Sequence, residues 1–598
     1  MPAQFTLQEL LYQGWHYSGP DWAFFPCLAG NFSPAANTFS KTGREVIAVK
    51  WWQKAVFYQI YPRSFMDSNG DGIGDIPGII QKLDYLNDGT PQSLGIDAIW
   101  FSPFFVSPQK DFGYDIADYC NIDPCYGTLE DFDRLVEECH KRGIRVMLDL
   151  VVNHTSDQHP WFLESRSSRD NPKRDWYIWR DGRGKKPPNN WRSIFSGSAW
   201  EWDEHTGQWY LHSFLREQPD LNWANPEVRE AIHAVIRFWL DRGADGFRLD
   251  VPHTYCKDPQ FRNNPPFWKR PPLDRQRLRD KVFFEKTIAL FGLPDFQYKQ
   301  YNLHQPQTHE ILRGFRRVLD EYPDAVSIGE ILADYPETVA SYYGRGDELH
   351  MNFYFDFAEC PWDAGAFRRR VEHWLSLLPA GSWPAWTLSN HDRIRAISRY
   401  GKPGVENQQA KLLAMLLLTL PGTPFIYYGE EIGMKDPRLP KRLIQDPVGK
   451  KLWPFHKGRD SQRTPMQWDD SETAGFSAGT PWLPVGPELS ARNVRSQDKD
   501  PSSLLNFWRN LIWLRKKKTA LLEGGYRALT ENIPADCYVF SRSTPGQEIL
   551  VCLNFSRKPR TIPLPGKRTP LFSTHNLRSK KPVDTLTLAP LEGCLLEA

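Results

Sequence analysis

Eight short apolar runs recur along this chain, and most are separated by helical patterning. They are Ala55 to Tyr61, Ile96 to Ser102, Arg145 to Val152, Gly246 to Val251, Val326 to Ile331, Met351 to Phe357, Ala385 to Ser389 and Pro424 to Gly429. Two of the intervening segments carry clear amphipathic helices, Leu129 to Arg142 before the third run and Pro226 to Arg242 before the fourth, where Pro226 follows Asn225 at a helix start. Strand and helix alternating eight times predicts an α/β chain closed into a (β/α)8 TIM barrel, since parallel strands need crossovers and bury both faces. A barrel of that kind gathers whatever stands at the C-terminal ends of its strands into one place.

What stands there is acidic. In Gly243-Ala-Asp-Gly-Phe-Arg-Leu-Asp-Val251, Arg248 and Asp250 lie two apart, so on a strand both face one space. A carboxylate beside a guanidinium is expected to stay ionised, with its pKa lowered, as suits a nucleophile. Taken alone the pair reads as structural. The runs ending at Glu330 and at Asp392 close in the same way, however, and paired carboxylates at strand ends are the machinery of glycoside hydrolysis.

Two connections exceed ordinary loops. Residues 153–225 form a Trp-, Pro- and Gly-rich excursion that reads as a small domain over the barrel mouth, and residues 252 to about 324 form another, holding some helix. The barrel then comprises 51–152 and 226–518. A helical segment around Ser502 to Lys518 precedes residues 519–598, whose alternating runs, such as Cys537-Tyr-Val-Phe-Ser, predict a C-terminal antiparallel β-sandwich. Residues 1–50 are aromatic and loop-like and receive no role beyond an appendage or packed arm.

Charge excludes some partners. With 74 Lys+Arg against 72 Asp+Glu, nothing favours nucleic acid or an acidic membrane surface. Nine scattered cysteines without metal spacing read as reduced thiols, and no leader or membrane-spanning run is evident, so a soluble cytoplasmic protein is expected. Monomer and homodimer both stay open.

Seven segments, in order, then carry a resemblance: Ala55-Val-Phe-Tyr-Gln-Ile-Tyr-Pro-Arg-Ser-Phe65, Asp149-Leu-Val-Val-Asn-His154, Gln218-Pro-Asp-Leu-Asn222, Gly246-Phe-Arg-Leu-Asp250, Ile328-Gly-Glu-Ile331, Ser389-Asn-His-Asp392 and Arg463-Thr-Pro-Met-Gln-Trp468. Together they resemble the α-amylase family, glycoside hydrolase family thirteen, in its α-glucosidase and oligo-1,6-glucosidase branch. The resemblance implies Asp250 as nucleophile, Glu330 as general acid/base and Asp392 as the third carboxylate steadying the distorted sugar. It implies Asp111 and Tyr114 as the residues that bond and stack on the non-reducing glucose, His154 and His391 as donors to its hydroxyls, and Arg248 as partner of the nucleophile. Arg395 resembles the arginine that pairs with the Asp111 position and closes the space behind the sugar. A pocket closed in this way implies an exo-acting enzyme on small oligosaccharides, without an organic cofactor.

Asp67-Ser-Asn-Gly-Asp-Gly-Ile-Gly-Asp75 presents oxygens from Asp67, Asn69, Asp71, the Ile73 backbone and Asp75, the way a hard cation is gripped. Position twelve is Gly78 where an EF-hand needs a bidentate Glu, so the loop is not an EF-hand. The resembled branch binds structural Ca2+ or Mg2+ here; the competing reading is a metal-free turn held by Asx hydrogen bonds.

Val251 after the nucleophile accompanies α-1,6 activity in some members of the branch, yet the continuation Val251-Pro-His253 is closer to maltose-type α-glucosidases. Short α-1,4 substrates are expected, with oligo-1,6-glucosidase or glucosyl-transferring activity as the alternative. Phe353-Tyr-Phe-Asp-Phe-Ala-Glu-Cys-Pro361 lacks the charged cluster of sucrose isomerases. Non-enzyme readings, a silent transporter heavy chain or a carbohydrate-binding protein, leave three strand-end carboxylates unexplained.

Overall fold

Eight parallel strands make the centre of the computed structural model, which describes residues 49–184, 186–269, 297–575 and 579–598. They are β1 (Phe57–Ile60), β2 (Ala98–Phe101), β3 (Arg145–Leu150), β4 (Gly246–Leu249), β5 (Val326–Gly329), β6 (Met351–Asn352), β7 (Ala385–Thr387) and β8 (Thr423–Tyr427). Each pairs with its neighbour in sequence, β1 also pairs β8, and a parallel bridge from Phe353 to Ala385 closes the ring. The expected barrel is therefore present. The aromatic stretch 1–48, like residues 270–296 of the second excursion, lies outside the described residues.

Period-two alternation sorts the strand residues. Phe57, Ala98, Trp100, Met147, Val326, Ile328, Met351, Phe353, Ala385 and Phe425 fill the barrel, while Tyr58, Ile99, Val146, Leu148, Phe247 and Leu249 face the helices. Along the same inward rows Met147 is followed by Asp149, and Ile328 by Glu330. The floor is thus apolar and the top charged. Any Cβ on Gly246 would collide with the Val326 carbonyl, so glycine is what lets β4 and β5 approach there.

Both predicted helices form, Leu129–Lys141 with Thr128 and Asp131 in a capping box, and Pro226–Asp241 with Asn225 capping the Glu227 N–H. The sixth strand is shorter than its sequence suggested. It ends at Asn352, and Phe355–Ala358 is helical, because a buried apolar run looks alike in either conformation.

Residues 153–225 contain a three-stranded antiparallel sheet of Trp179–Arg180, Gln208–Leu211 and Trp200–Asp203. Phe195 and Phe214 from this insertion pack with Val251 and Val448, setting it beside the residue that follows Asp250. After the helix Leu504–Lys517 come β9 (Gly525–Leu529), β10 (Cys537–Thr544), β11 (Gln547–Asn554), β12 (Arg560–Ser573), β13 (Val583–Leu588) and β14 (Gly593–Glu597). They form one antiparallel sheet in the order β9-β10-β11-β14-β12-β13 rather than two separate ones. Register breaks in β12 let one half pair β13 and the other β14. Val539, Leu550 and Cys552 then pack on Ile562, Leu586 and Leu588, while Tyr538, Phe540 and Val551 belong to the main core.

Candidate active site

The ladder between neighbouring strands places the first two carboxylates. Asp149 is in register with Arg248, which is in register with Ile328; the Asp250 N–H then donates to the Leu150 carbonyl at 3.1 Å and the Glu330 N–H to the Leu249 carbonyl at 3.1 Å. Asp250 and Glu330 therefore sit one residue past the ends of adjacent strands. Val251 adopts φ +36°, an unusual conformation for a β-branched residue, and turns the chain sharply away after Asp250.

Arg248 is fully buried and holds the group together. Its Nη1 donates to Asp149 Oδ1 at 2.6 Å and to Asp250 Oδ1 at 2.8 Å, and its Nη2 donates to Glu330 Oε2. One guanidinium thus touches both carboxyls. Asp149 continues the network, its Oδ2 accepting from Tyr114 at 3.1 Å and from the Trp100 indole at 3.3 Å. The Tyr114 hydroxyl lies 2.6 Å from His391 Nε2, and the two rings stack within 6° of parallel. Gln59 donates to His391 Nδ1 at 2.8 Å, which leaves the Nε2 proton for Tyr114.

Asp392 is reached from the other side. Arg463 Nη2 donates to its Oδ1 at 2.7 Å, and Arg459 Nη1 stands 3.5 Å from the same oxygen. Arg459 Nη2 also donates to Asp111 Oδ1 at 2.6 Å and to Asp446 Oδ1 at 2.7 Å. From the insertion, the Gln218 amide donates to the Tyr114 carbonyl at 3.2 Å and to Asp111 Oδ2 at 3.4 Å. His154 Nε2 donates to the same Tyr114 carbonyl at 2.9 Å.

Eight of the nine residues singled out from sequence therefore belong to one connected group: Asp111, Tyr114, His154, Arg248, Asp250, Glu330, His391 and Asp392. The ninth does not. Arg395 is buried behind the group, donates to the Tyr428 and Gln462 carbonyls and pairs with Asp436, so Arg459 rather than Arg395 meets Asp111. The resemblance is carried to Arg395, three residues past Asp392, whereas the chain returns to Asp111 only after an excursion of more than sixty residues. The signal that could have found Arg459 is its position four residues before Arg463, on the turn that opens the last matched motif. Asp149 and Gln218 also stood inside quoted motifs without being given roles.

Electrostatics separate the carboxylates. Burial pushes Asp250 well up, and although Arg248 opposes this, the charges of Glu330, Asp149 and Asp392 add to the rise. The lowered pKa expected from the Arg248 pair alone is thus overturned by desolvation and three like charges. Glu330 is raised too, first by burial and then, against Arg248, by Asp392. Asp392 behaves oppositely: burial pushes it up, but His391, Arg459 and Arg463 outweigh that and hold it well below the usual range. It is also the most open of the three, with 30% of its side chain exposed. Asp149, Asp250 and Glu330, crowded around one buried guanidinium, together retain a proton more readily than any of them would alone.

A family model described as the alpha amylase catalytic domain matches residues 59–524. An oligo-1,6-glucosidase of Parageobacillus thermoglucosidasius is 41% identical over 582 residues, covering 91% of this chain and 98% of its own length. A probable alpha-glucosidase of Rhizobium meliloti (strain 1021) is 43% identical over 535 residues, covering 89% and 94%. Among solved structures, an alpha-glucosyl transfer enzyme matches with a TM-score of 0.82 at 41% identity, covering 92% of this chain and 99% of its own. Among the described residues no helix is long and apolar enough to cross a membrane.

Proposed function

The chain belongs to the α-amylase family and is a glycoside hydrolase of the α-glucosidase kind, and from that premise we propose that it removes terminal glucose from short α-glucosides with retention of configuration. The observation that supports retention is the single guanidinium bonded to both Asp250 and Glu330. Retaining pairs stand about 5 to 5.5 Å apart and inverting pairs roughly 6.5 to 9.5 Å, and a shared guanidinium favours the shorter separation. In this reading Asp250 attacks the anomeric carbon while Glu330 gives its proton to the glycosidic oxygen, which departs as a neutral alcohol. Glu330 then takes a proton from water, and that water displaces Asp250. Asp392 stays ionised and faces the positive charge that develops on the ring.

In this reading Asp111, held by Arg459 and Gln218, would close the space behind the terminal glucose, which favours attack on chain ends. Linkage is assigned to short α-1,4 substrates on the Val251-Pro-His253 continuation. Cleavage of α-1,6 links is the second reading, favoured by Val251 itself and by the oligo-1,6-glucosidase relative, and transfer to a sugar acceptor is favoured by the alpha-glucosyl transfer enzyme. A panel of maltose, isomaltose, sucrose, trehalose and kojibiose with NMR of the products tests all of these. Maltose should be cleaved fastest and α-glucose should appear first; β-glucose appearing first would contradict retention, and isomaltose turning over fastest would overturn the linkage assignment.

For the Asp67–Asp75 loop we propose a structural Ca2+ or Mg2+. The Asx bonds of the competing reading are present, with Asp67 Oδ1 accepting from the Asn69 and Gly70 N–H groups and Asp75 Oδ2 from Ser68. Among the described residues no three Asp, Glu, His or Cys side chains converge as a metal-holding group, but the donor types here, carboxylates with an amide and a main-chain oxygen, are those a hard cation takes. Asp67 and Asp75 are buried, and among the described residues neither forms an ion pair with a basic side chain. Burial raises Asp75, and the charge of Asp67 adds to it, a strain a divalent ion would relieve. Ca2+ at tens of micromolar to millimolar concentration should raise the melting temperature by several degrees, and Asp71→Ala should abolish that rise with kcat on maltose unchanged. Melting curves that ignore both Ca2+ and Mg2+ would remove the proposal. Cys120, Cys125, Cys139, Cys256 and Cys537 are free thiols, which supports placing the protein in the reducing cytoplasm.

A further inference from the structure

His253 and His304 are stacked, with ring centroids 5.1 Å apart and planes 23° from parallel. His253 lies three residues past Asp250 and is buried. His304 belongs to the far end of the excursion between β4 and β5, and its N–H donates to the His253 carbonyl at 2.8 Å. Burial holds the His253 imidazole well below its usual pKa, and the backbone carbonyl of Glu330 beside the ring opposes this. His304 Nε2 donates to the Leu332 carbonyl at 3.1 Å, while its Nδ1 accepts from the Tyr342 hydroxyl at 3.0 Å. Carbonyls only accept, so the His304 imidazole presents its Nε2–H to the main chain. Leu332, two residues past Glu330, is held by His304, and the His253 ring stacked on His304 lies beside the Glu330 carbonyl.

We propose that this histidine pair is a clamp that positions Glu330 for proton donation and couples its aim to the excursion carrying His304. The barrel ladder ends with the Glu330 N–H, so beyond that point the direction of the chain depends on other contacts. The clamp supplies them. A packing role alone accounts poorly for His253, because its buried Nδ1 meets no donor among the described residues, and an apolar ring would fill the space without that cost. His304 further holds φ at +54°, a conformation few non-glycine residues adopt, which is what brings its ring over His253. Both histidines act through Glu330 and are positioning residues.

The inference rests on Glu330 being the general acid, so its test separates the two claims. kcat/KM is measured for maltose, whose leaving sugar needs a proton, and for α-glucosyl fluoride, whose leaving group does not. His253→Phe and His304→Phe keep a ring in the stack and remove the N–H. Each should lose about 10- to 100-fold on maltose and less than about 3-fold on the fluoride. His304→Gln, which restores an N–H, should recover part of the loss. Glu330→Gln should show the same split, larger. Equal losses on both substrates in Glu330→Gln would end the acid assignment; a split in Glu330→Gln with none in the histidine variants would end the clamp alone. Should His253→Phe fail to fold, His304→Phe decides, since its ring lies nearer the surface.

Discussion

Asp250→Asn should lose roughly 10⁴- to 10⁶-fold in kcat on maltose while melting no lower than the parent protein. The loss follows from removing the strand-end carboxylate that Arg248 holds beside Glu330. An amide cannot form the ester on which the second half of a retaining reaction depends. Stability should hold because the substitution nearly preserves shape and removes one of the charges crowding Glu330 and Asp149. Arg248 would keep both other carboxylates. Buried like charges of this kind are tolerated for chemistry rather than for the fold. Steady-state kinetics and a thermal melt on the same preparation check the prediction, and maltose binding measured by calorimetry should survive. Residual turnover within tenfold of the parent would remove Asp250 from the reaction.

The second large effect concerns the guanidinium itself. Arg248→Met, of similar length, should lower stability by about 3 to 5 kcal/mol and leave little activity, because it strands buried carboxylates without their cation. Arg248 lowers Asp149, Asp250 and Glu330 alike. Without it all three rise further above their unfolded values. A carboxyl raised in the folded state loses stability as pH climbs from the unfolded value through the folded one, so the deficit should be smallest near about pH 5 and largest near about pH 8. Urea melts across that range measure it. A deficit that grows on acidification, or is absent at every pH, would mean that the guanidinium does not compensate these carboxylates.

How much could be read from the chain alone differs between fold and site. Seven of the eight strands were legible within a few residues because alternation and length mark them, and the helices before β3 and β4 were legible through Thr128, Asn225 and Pro226 at their starts. The end of β6 was not, since Phe353 to Phe357 is apolar in any conformation. Asp250, Glu330 and Asp392 could be grouped before any coordinates because strand ends of one barrel converge.

The charge state of that group lay beyond sequence. Arg248 two residues from Asp250 suggests a depressed carboxyl, and it is burial, with Glu330, Asp149 and Asp392 arriving from three other strands, that reverses the direction. Arg459 shows the same limit, since its meeting with Asp111 and Asp446 is made by a long excursion whose path no local pattern encodes. What the amino-acid order determined by itself was periodic and local: which residues turn inward, where helices begin, and which acids stand at strand ends. Which charges share a dry space, and therefore which of them keep a proton, was decided by tertiary structure alone, because Coulomb energies and desolvation depend on distances through space and not along the chain.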